Sequence, residues 1–255
     1  MESTRRARWA SWAPTCRESM PACTLPIFLA LLMAVTRPAA AAMDDWRFEV
    51  SAASARTTRG IDDSGGQPVI GASASWYAAG GLFAGISTST FKVISSSQTG
   101  AEIIASGGYE RRIAGDWTVQ ASLTHYQYVH MSAASRMNYD EAAVRGGWRD
   151  SLFVSVTASP NTGFDSSPRL RAFSYNIAGR LPLTFGFSTT VGIGYYDLSA
   201  QKGVGYVYGD AGITYQRGAA QFDLWYIFTH DSATANARLH HMLYNGLIAD
   251  VIWHF

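Results

Sequence analysis

Two His-x-Ser tripeptides carry the most reactive combination in the chain, His130-Met131-Ser132 and His230-Asp231-Ser232. Residues two apart share a face of an extended chain, so each histidine can lie beside its serine. With a carboxylate to orient the ring, such a pair can make a serine nucleophile for acyl transfer. Glu141, about one hairpin beyond the first tripeptide, is the nearest acid suited to that role. The surrounding loops are short, however, and offer few donors for an oxyanion hole, usually the largest single catalytic contribution. The expectation is that neither His130 nor His230 is catalytic and that the chain is not an enzyme.

Other site chemistries are set aside more directly. Both cysteines, Cys16 and Cys23, precede the expected export cleavage point, which leaves no thiolate for a disulfide, a metal or a nucleophile. His240 and His241 are adjacent, so on a strand they point to opposite faces and cannot chelate together. Lys202-Gly203-Val204-Gly205 lacks the helix that must follow a phosphate loop. No metal or cofactor is expected. The formal net charge is +1 with no basic tract, so nucleic acid is not an expected partner.

What remains is a scatter of charges within apolar alternations. Arg47, Glu49, Glu110, Glu141, Arg145, Asp210, Asp223 and Asp250 fall, by parity, on the non-apolar face of their segments. The elements that carry them read as strands of about ten residues separated by breaks, the pattern of membrane-spanning β-strands. Short breaks fall at 79–81, 113–116, 149–150, 181–184 and 217–219. Longer polar ones fall near 58–68, 94–100, 131–138, 160–168, 198–203 and 232–238. This alternation implies about twelve strands, with the short turns on one side. Trp117, Val119, Ala121 and Leu123 alternate with Thr118, Gln120, Ser122 and Thr124, and Phe222, Leu224, Tyr226 and Phe228 lie opposite Gln221, Asp223 and Trp225. The second face is mostly Gly, Ser and Thr, unlike the charged exterior of a soluble sandwich.

Aromatics sort toward the strand ends. Trp46, Trp76, Trp117, Trp148, Phe185, Tyr215, Phe222, Trp253 and Phe255 gather at the short-turn side, and Tyr126, Tyr128, Tyr139, Tyr195, Tyr196 and Phe228 at the other. Two belts of this kind are expected at membrane interfaces. Residues 25–35 form an apolar run too short to span a bilayer, followed by the small residues Ala39 to Ala42. They read as a signal peptide over 1–42, with Met20 as a second possible start, leaving 43–255 as one domain. The chain ends Val251-Ile252-Trp253-His254-Phe255, with Val251, Trp253 and Phe255 on one face. This ending resembles the closing strand of Gram-negative outer-membrane barrels, in which that strand is the assembly signal.

Short motifs carry a family resemblance. Thr58-Arg59-Gly60-Ile61, Gln67-Pro68, Gly80-Gly81-Leu82-Phe83-Ala84-Gly85 and Asn138-Tyr139-Asp140-Glu141 are similar to elements of the Gcw_chp family of uncharacterised proteobacterial outer-membrane proteins. Ala55-Arg56-Thr57 departs from it, standing in the expected first strand where an Asp-aromatic pair is usual. The His-x-Ser tripeptides resemble those of lipid A deacylases. The family resemblance implies location and fold, not an activity.

The sequence therefore predicts an all-β chain, a transmembrane up-and-down antiparallel β-barrel of about twelve strands in the Gram-negative outer membrane. Its partners would be outer-membrane lipid, lipopolysaccharide, the barrel-assembly machinery and small solutes. The eight charges would line the lumen, either satisfying one another or flanking a pore with both signs of charge. Eight strands are just filled by their side chains and the diameter grows with strand number. About twelve strands lined by Gly71, Ser73, Ser75, Gly85, Ser87, Ser89, Ser106 and Gly108 should leave a water-filled lumen, with no loop long enough for a substantial plug. A passive pore or small-solute channel is the expected function. The alternatives are a structural barrel without transport and an outer-membrane lipid acylhydrolase.

Overall fold

The computed structural model describes residues 46–92, 99–131, 134–162, 168–230, 235, 237, 239 and 242–255. The export segment with Cys16 and Cys23, both serines of the His-x-Ser tripeptides (Ser132, Ser232), and His240 and His241 lie outside the described residues. In chain order the strands are β1 (Trp46–Ala53), β2 (Thr57–Thr58), β3 (Ile61–Asp62), β4 (Val69–Tyr77), β5 (Leu82–Lys92), β6 (Thr99–Ala114) and β7 (Trp117–Val129). They continue as β8 (Tyr139–Trp148), β9 (Leu152–Thr162), β10 (Leu170–Pro182), β11 (Phe187–Leu198), β12 (Val204–Arg217), β13 (Ala220–His230) and β14 (Gly246–His254).

Twelve of these form one closed antiparallel barrel, each pairing with its sequence neighbours and β1 closing against β14; β2 and β3 make a separate two-residue ladder. Closure pairs every strand edge, the condition for β-structure in hydrocarbon. The fold class read from the sequence, an up-and-down transmembrane barrel of about twelve strands, is the fold found. All five short breaks are tight turns. At Arg149-Asp150 both residues have positive φ, 51° and 54°, and Ser151 N–H donates to the Trp148 carbonyl at 2.9 Å. That is the backbone twist two-residue hairpins favour.

The alternation sorts the two faces. Ile86, Leu123, Val144, Val191, Ile213 and Leu247 point outward and are exposed, as a surface facing lipid tails requires. At the short-turn end, Trp46 pairs with Trp76, Trp117 with Trp148, and Tyr215 with both Phe187 and Phe222, all on that outer face. The second belt is different from the one expected. Tyr195 and Phe228 face outward, joined by Tyr175 and Tyr226. Tyr126, Tyr128, Tyr139 and Tyr196 have the opposite parity and pack inside the barrel.

What they pack against is the largest departure from the sequence reading. β1 ends at Ala53, so Ala55-Arg56-Thr57 is not part of the first strand. Residues 54–68 fold inward across the long-loop end of the barrel, and β2 and β3 belong to this cap. Asp62 N–H donates to the Met242 carbonyl at 2.8 Å, Tyr244 N–H to the Gly60 carbonyl at 2.8 Å, and Ile61 bridges Leu243. These contacts hold 242–244 out of the wall. The final strand consequently starts at Gly246 rather than near 239, where the break at 232–238 would have placed it. The expectation that no loop could make a substantial plug is overturned, because a polar loop can find its hydrogen bonds in a polar lumen as well as in water.

Candidate functional site: the capped lumen

At the level of the cap, inward-facing residues are buried on most strands, among them Val69 on β4, Glu102 on β6, Tyr126 on β7, Glu141 on β8, Tyr206 on β12 and Ile248 on β14. Two apolar clusters lie at this level, the first of them containing the cap residue Ile61. Ile61 packs with Ala172, Tyr196, Leu198, Tyr206, Tyr208 and Leu239 on one side; Phe91, Ile104, Tyr126 and Tyr128 group on the other.

Two arginines tie the cap to the wall. Arg56, 2 % exposed, donates to Ser89 Oγ on β5 at 2.8 Å and to Glu102 on β6, and its Nε lies 3.8 Å from Asp63 within the cap. Its own N–H donates to Ser64 Oγ at 3.0 Å, while Ser64 donates from both N–H and hydroxyl to Asp62 Oδ1. Arg59 makes a fork against Glu141 on β8, donating to Oε1 at 2.6 Å and Oε2 at 2.8 Å. The Arg59 guanidinium lies 4.9 Å from the centre of the Tyr196 ring on β11, and the Tyr206 hydroxyl donates to the Arg59 carbonyl at 3.0 Å. The fork on β8, with the Tyr196 and Tyr206 contacts on β11 and β12, ties the cap to three strands of the wall.

The turn that delivers Arg59 is strained. Arg59 has φ 52° and Gly60 φ 77°. Gly60 is required twice over, since a Cβ there would also sit 2.3 Å from Thr229 Cγ2.

Below the cap the lumen is of another kind. Ser73, Ser75, Gly85, Ser106, Gln120, Ser122, Arg145 and Asn176 face inward along β4–β10 and are partly exposed. Along β11–β14 most inward polar residues, among them Ser188, Thr190, Thr214, Gln221, Asp223 and Asp250, are instead buried. Gln221 Nε2 donates to Asp223 Oδ2 at 2.8 Å, Thr214 also donates to Asp223, and Arg180 donates to Ser188 at 3.1 Å.

The eight sequence-derived residues separate by level. Seven lie on inward-facing positions between the short-turn end and mid-strand, where Asp210 and Asp250 sit. Arg47 sits 4.6 Å from the Tyr77 ring centre; Glu49 accepts from Ser73 at 3.3 Å and meets His254 Nδ1 at 3.0 Å. Glu110 and Arg145 are both Cα partners of Gln120 on the strand between them, and Asp223 is the Cα partner of Asp250. Asp210 lies against Gly192. Only Glu141 belongs to the cap level, where Arg59 and the Tyr126 hydroxyl engage it inside the barrel. At the terminus, Val251 and Trp253 face outward, and Phe255 N–H donates to the Phe48 carbonyl at 2.9 Å.

The sequence reading missed Arg56, Arg59 and Glu102. Glu102 has the parity of Glu110 eight residues on, so alternation could have placed it inward; nothing local signals that the arginines turn in. It also missed a polar cluster on the outer face near the long-loop end. There His125 Nδ1 meets Asp140 Oδ1 at 2.7 Å, and Asn161 Nδ2 donates to Asp140 Oδ2 at 2.7 Å. The outward neighbours of His125 on its strand are Leu123 and Gln127, so the strand offers this pair no hydroxyl nucleophile.

No family model matches the chain, and no curated protein matches it. Among solved structures it is similar in fold to one described as KdgM porin, with 11% identity, covering 82% of this chain and 99% of that one at a TM-score of 0.51. A structure described as NanC porin is similar at 9% identity, covering 80% and 97% of the two chains, with a TM-score of 0.53. At these identities the likeness is one of fold.

Proposed function

We propose that the chain is a small-solute channel of the Gram-negative outer membrane, drawn here in its capped form. The observation that carries this reading is the partly exposed wall of small polar residues along β4–β10 beneath the cap. A barrel that only needed to stand in the membrane would have no use for a hydrophilic path lined by Ser73, Ser75, Ser106 and Ser122. The porin-like fold and the Gcw_chp resemblance are consistent with it, and an outward apolar band suits the bilayer. In this setting the short turns face the periplasm and the cap faces outward. Lipid, lipopolysaccharide and the barrel-assembly machinery are proposed partners, with Val251, Trp253 and Phe255 as the assembly signal.

Purified protein in a planar bilayer tests the function. Single-channel steps, from the wild type or from a barrel whose cap has been removed, support it; an inserted barrel that stays silent even without the cap supports the structural reading. Deleting Phe255 should impair insertion, and a soluble chain after fractionation of wild-type cells would overturn the location. Acyl transfer has less support, because the acid expected to serve His130, Glu141, lies inside the barrel on Arg59.

A further inference from the structure

The cap holds its arginine in the manner of a bound ligand. Arg59 presents a guanidinium, and the wall answers with the two features that recognise one: a carboxylate met through both oxygens and an aromatic face. Both features belong to the wall and not to the cap. Glu141 is on β8 and Tyr196 on β11, and Glu141 is oriented by the Tyr126 hydroxyl of β7, donating to Oε2 at 3.2 Å. Tyr126 is itself stacked on Tyr139 of β8, with ring centres 4.2 Å apart. The recognising groups are therefore all carried on barrel strands, whose pairing does not involve residues 54–68, and what they require is a cation against the carboxylate, whether from the cap or from a solute. The occupant, by contrast, is delivered at a cost, since Arg59 is a non-glycine residue at positive φ. A free solute would bear no such strain.

We propose that Glu141 and Tyr196 form a recognition site for small guanidinium-bearing cations, which Arg59 fills as an internal ligand, so that such a solute competes with the cap. The fork geometry selects guanidinium over ammonium, which is a point charge without two parallel donors. Glu141 excludes anions. The effect on the cap rests on the channel reading; the binding does not, and the two are measured separately.

The binding test uses ligand-observed NMR on the purified, detergent-folded barrel, with methylguanidinium as probe and methylammonium as control at equal ionic strength. Folding of each variant is verified by its heat-modifiable gel mobility. Arg59→Ala empties the site and should bind methylguanidinium with a Kd on the order of 1–10 mM, the range for a probe this small. Wild type should bind roughly tenfold more weakly, because Arg59 competes, and methylammonium should bind Arg59→Ala roughly tenfold more weakly than methylguanidinium. Adding Glu141→Gln to Arg59→Ala should abolish the binding. A folded Arg59→Ala barrel that ignores methylguanidinium, binds it equally after Glu141→Gln, or binds methylammonium as well overturns the site. In a planar bilayer, methylguanidinium should raise the wild-type current by displacing Arg59 and leave Arg59→Ala currents, already free of that tether, unraised; a wild-type current that methylguanidinium leaves unchanged, while Arg59→Ala conducts, overturns the competition. Specific binding with no current in either protein supports the site and counts against the channel instead.

Discussion

The two ends of the lumen are built from the same strands and the same alternation, yet they solve opposite problems. Toward the short turns, inward positions such as Ser73, Ser75, Gly85, Ser106, Gln120, Ser122 and Asn176 stay partly exposed beside the buried Thr118, Phe153 and Ala178, while Thr214, Gln221 and Asp223 are buried and bonded to one another across β12 and β13. Toward the long loops, the inward positions become Tyr, Ile, Leu and two glutamates, and a loop covers them. A wall of small polar groups is at home in water. A wall of tyrosines with embedded carboxylates is stable only when something apolar and cationic lies against it. The cap supplies both, Ile61 for the rings and Arg56 and Arg59 for the carboxylates. The difference between the levels is thus a difference in what each wall requires of its contents.

The sharpest way to break the contrast is at Arg56. Arg56→Ala strips Glu102 of its buried cationic partner, and losing one partner of such a pair costs about 3–5 kcal/mol. Trypsin cleavage after Arg59 should accelerate by about a hundredfold or more with the barrel still heat-modifiable; an unchanged rate would mean the ion pair does not hold the cap. Gly60→Ala should act in the same direction but less, about 1–3 kcal/mol for a side chain forced to positive φ and onto Thr229. The same cleavage assay should show a rise of roughly tenfold.

Proton binding offers a gentler lever. Burial pushes the Asp63 carboxyl up to about 7, with Arg56 opposing the rise and Glu102 adding to it. A carboxyl that holds its proton more tightly in the capped state favours the cap at low pH. That contribution is complete below the ordinary value of 3.8 and is lost as pH rises to about 7. Cleavage of the cap should therefore speed up severalfold between pH 4 and 7, and Asp63→Asn should flatten the profile; a slope of the opposite sign would refute the assignment. Smallest of all, Ser75→Ala and Ser106→Ala should leave cap cleavage unchanged and stability within about 0.5 kcal/mol, because these residues lie below the cap in a wall that water already reaches.

The legible part of this molecule is the part governed by period two. Trp117 to Thr124 alternates so cleanly that its faces, and hence the inward parity of Gln120 and Ser122, follow from the chain alone. The same rule places Arg145 and Asp223. The cap obeys no such rule. Thr57-Thr58-Arg59-Gly60 reads as a solvated turn, and its partners lie far along the chain: Arg56 meets Glu102 across 46 residues and Arg59 meets Glu141 across 82. Only barrel closure brings them together. The tyrosines misled for a related reason. At a strand end, Tyr126 and Tyr139 fit a membrane belt by height, and their parity becomes decisive only once something is known to occupy the lumen.

The central claim is that residues 54–68 are a removable closure on a conducting path. Ala53 and Val69 are Cα partners in adjoining strands, so residues 55–67 can be replaced by a short hairpin turn without altering the wall. Single-channel recording in planar bilayers should then show steady open steps from the shortened barrel, against a closed or briefly flickering wild type. A shortened barrel that is folded, inserted and as silent as wild type would contradict the account and leave a barrel that does not transport.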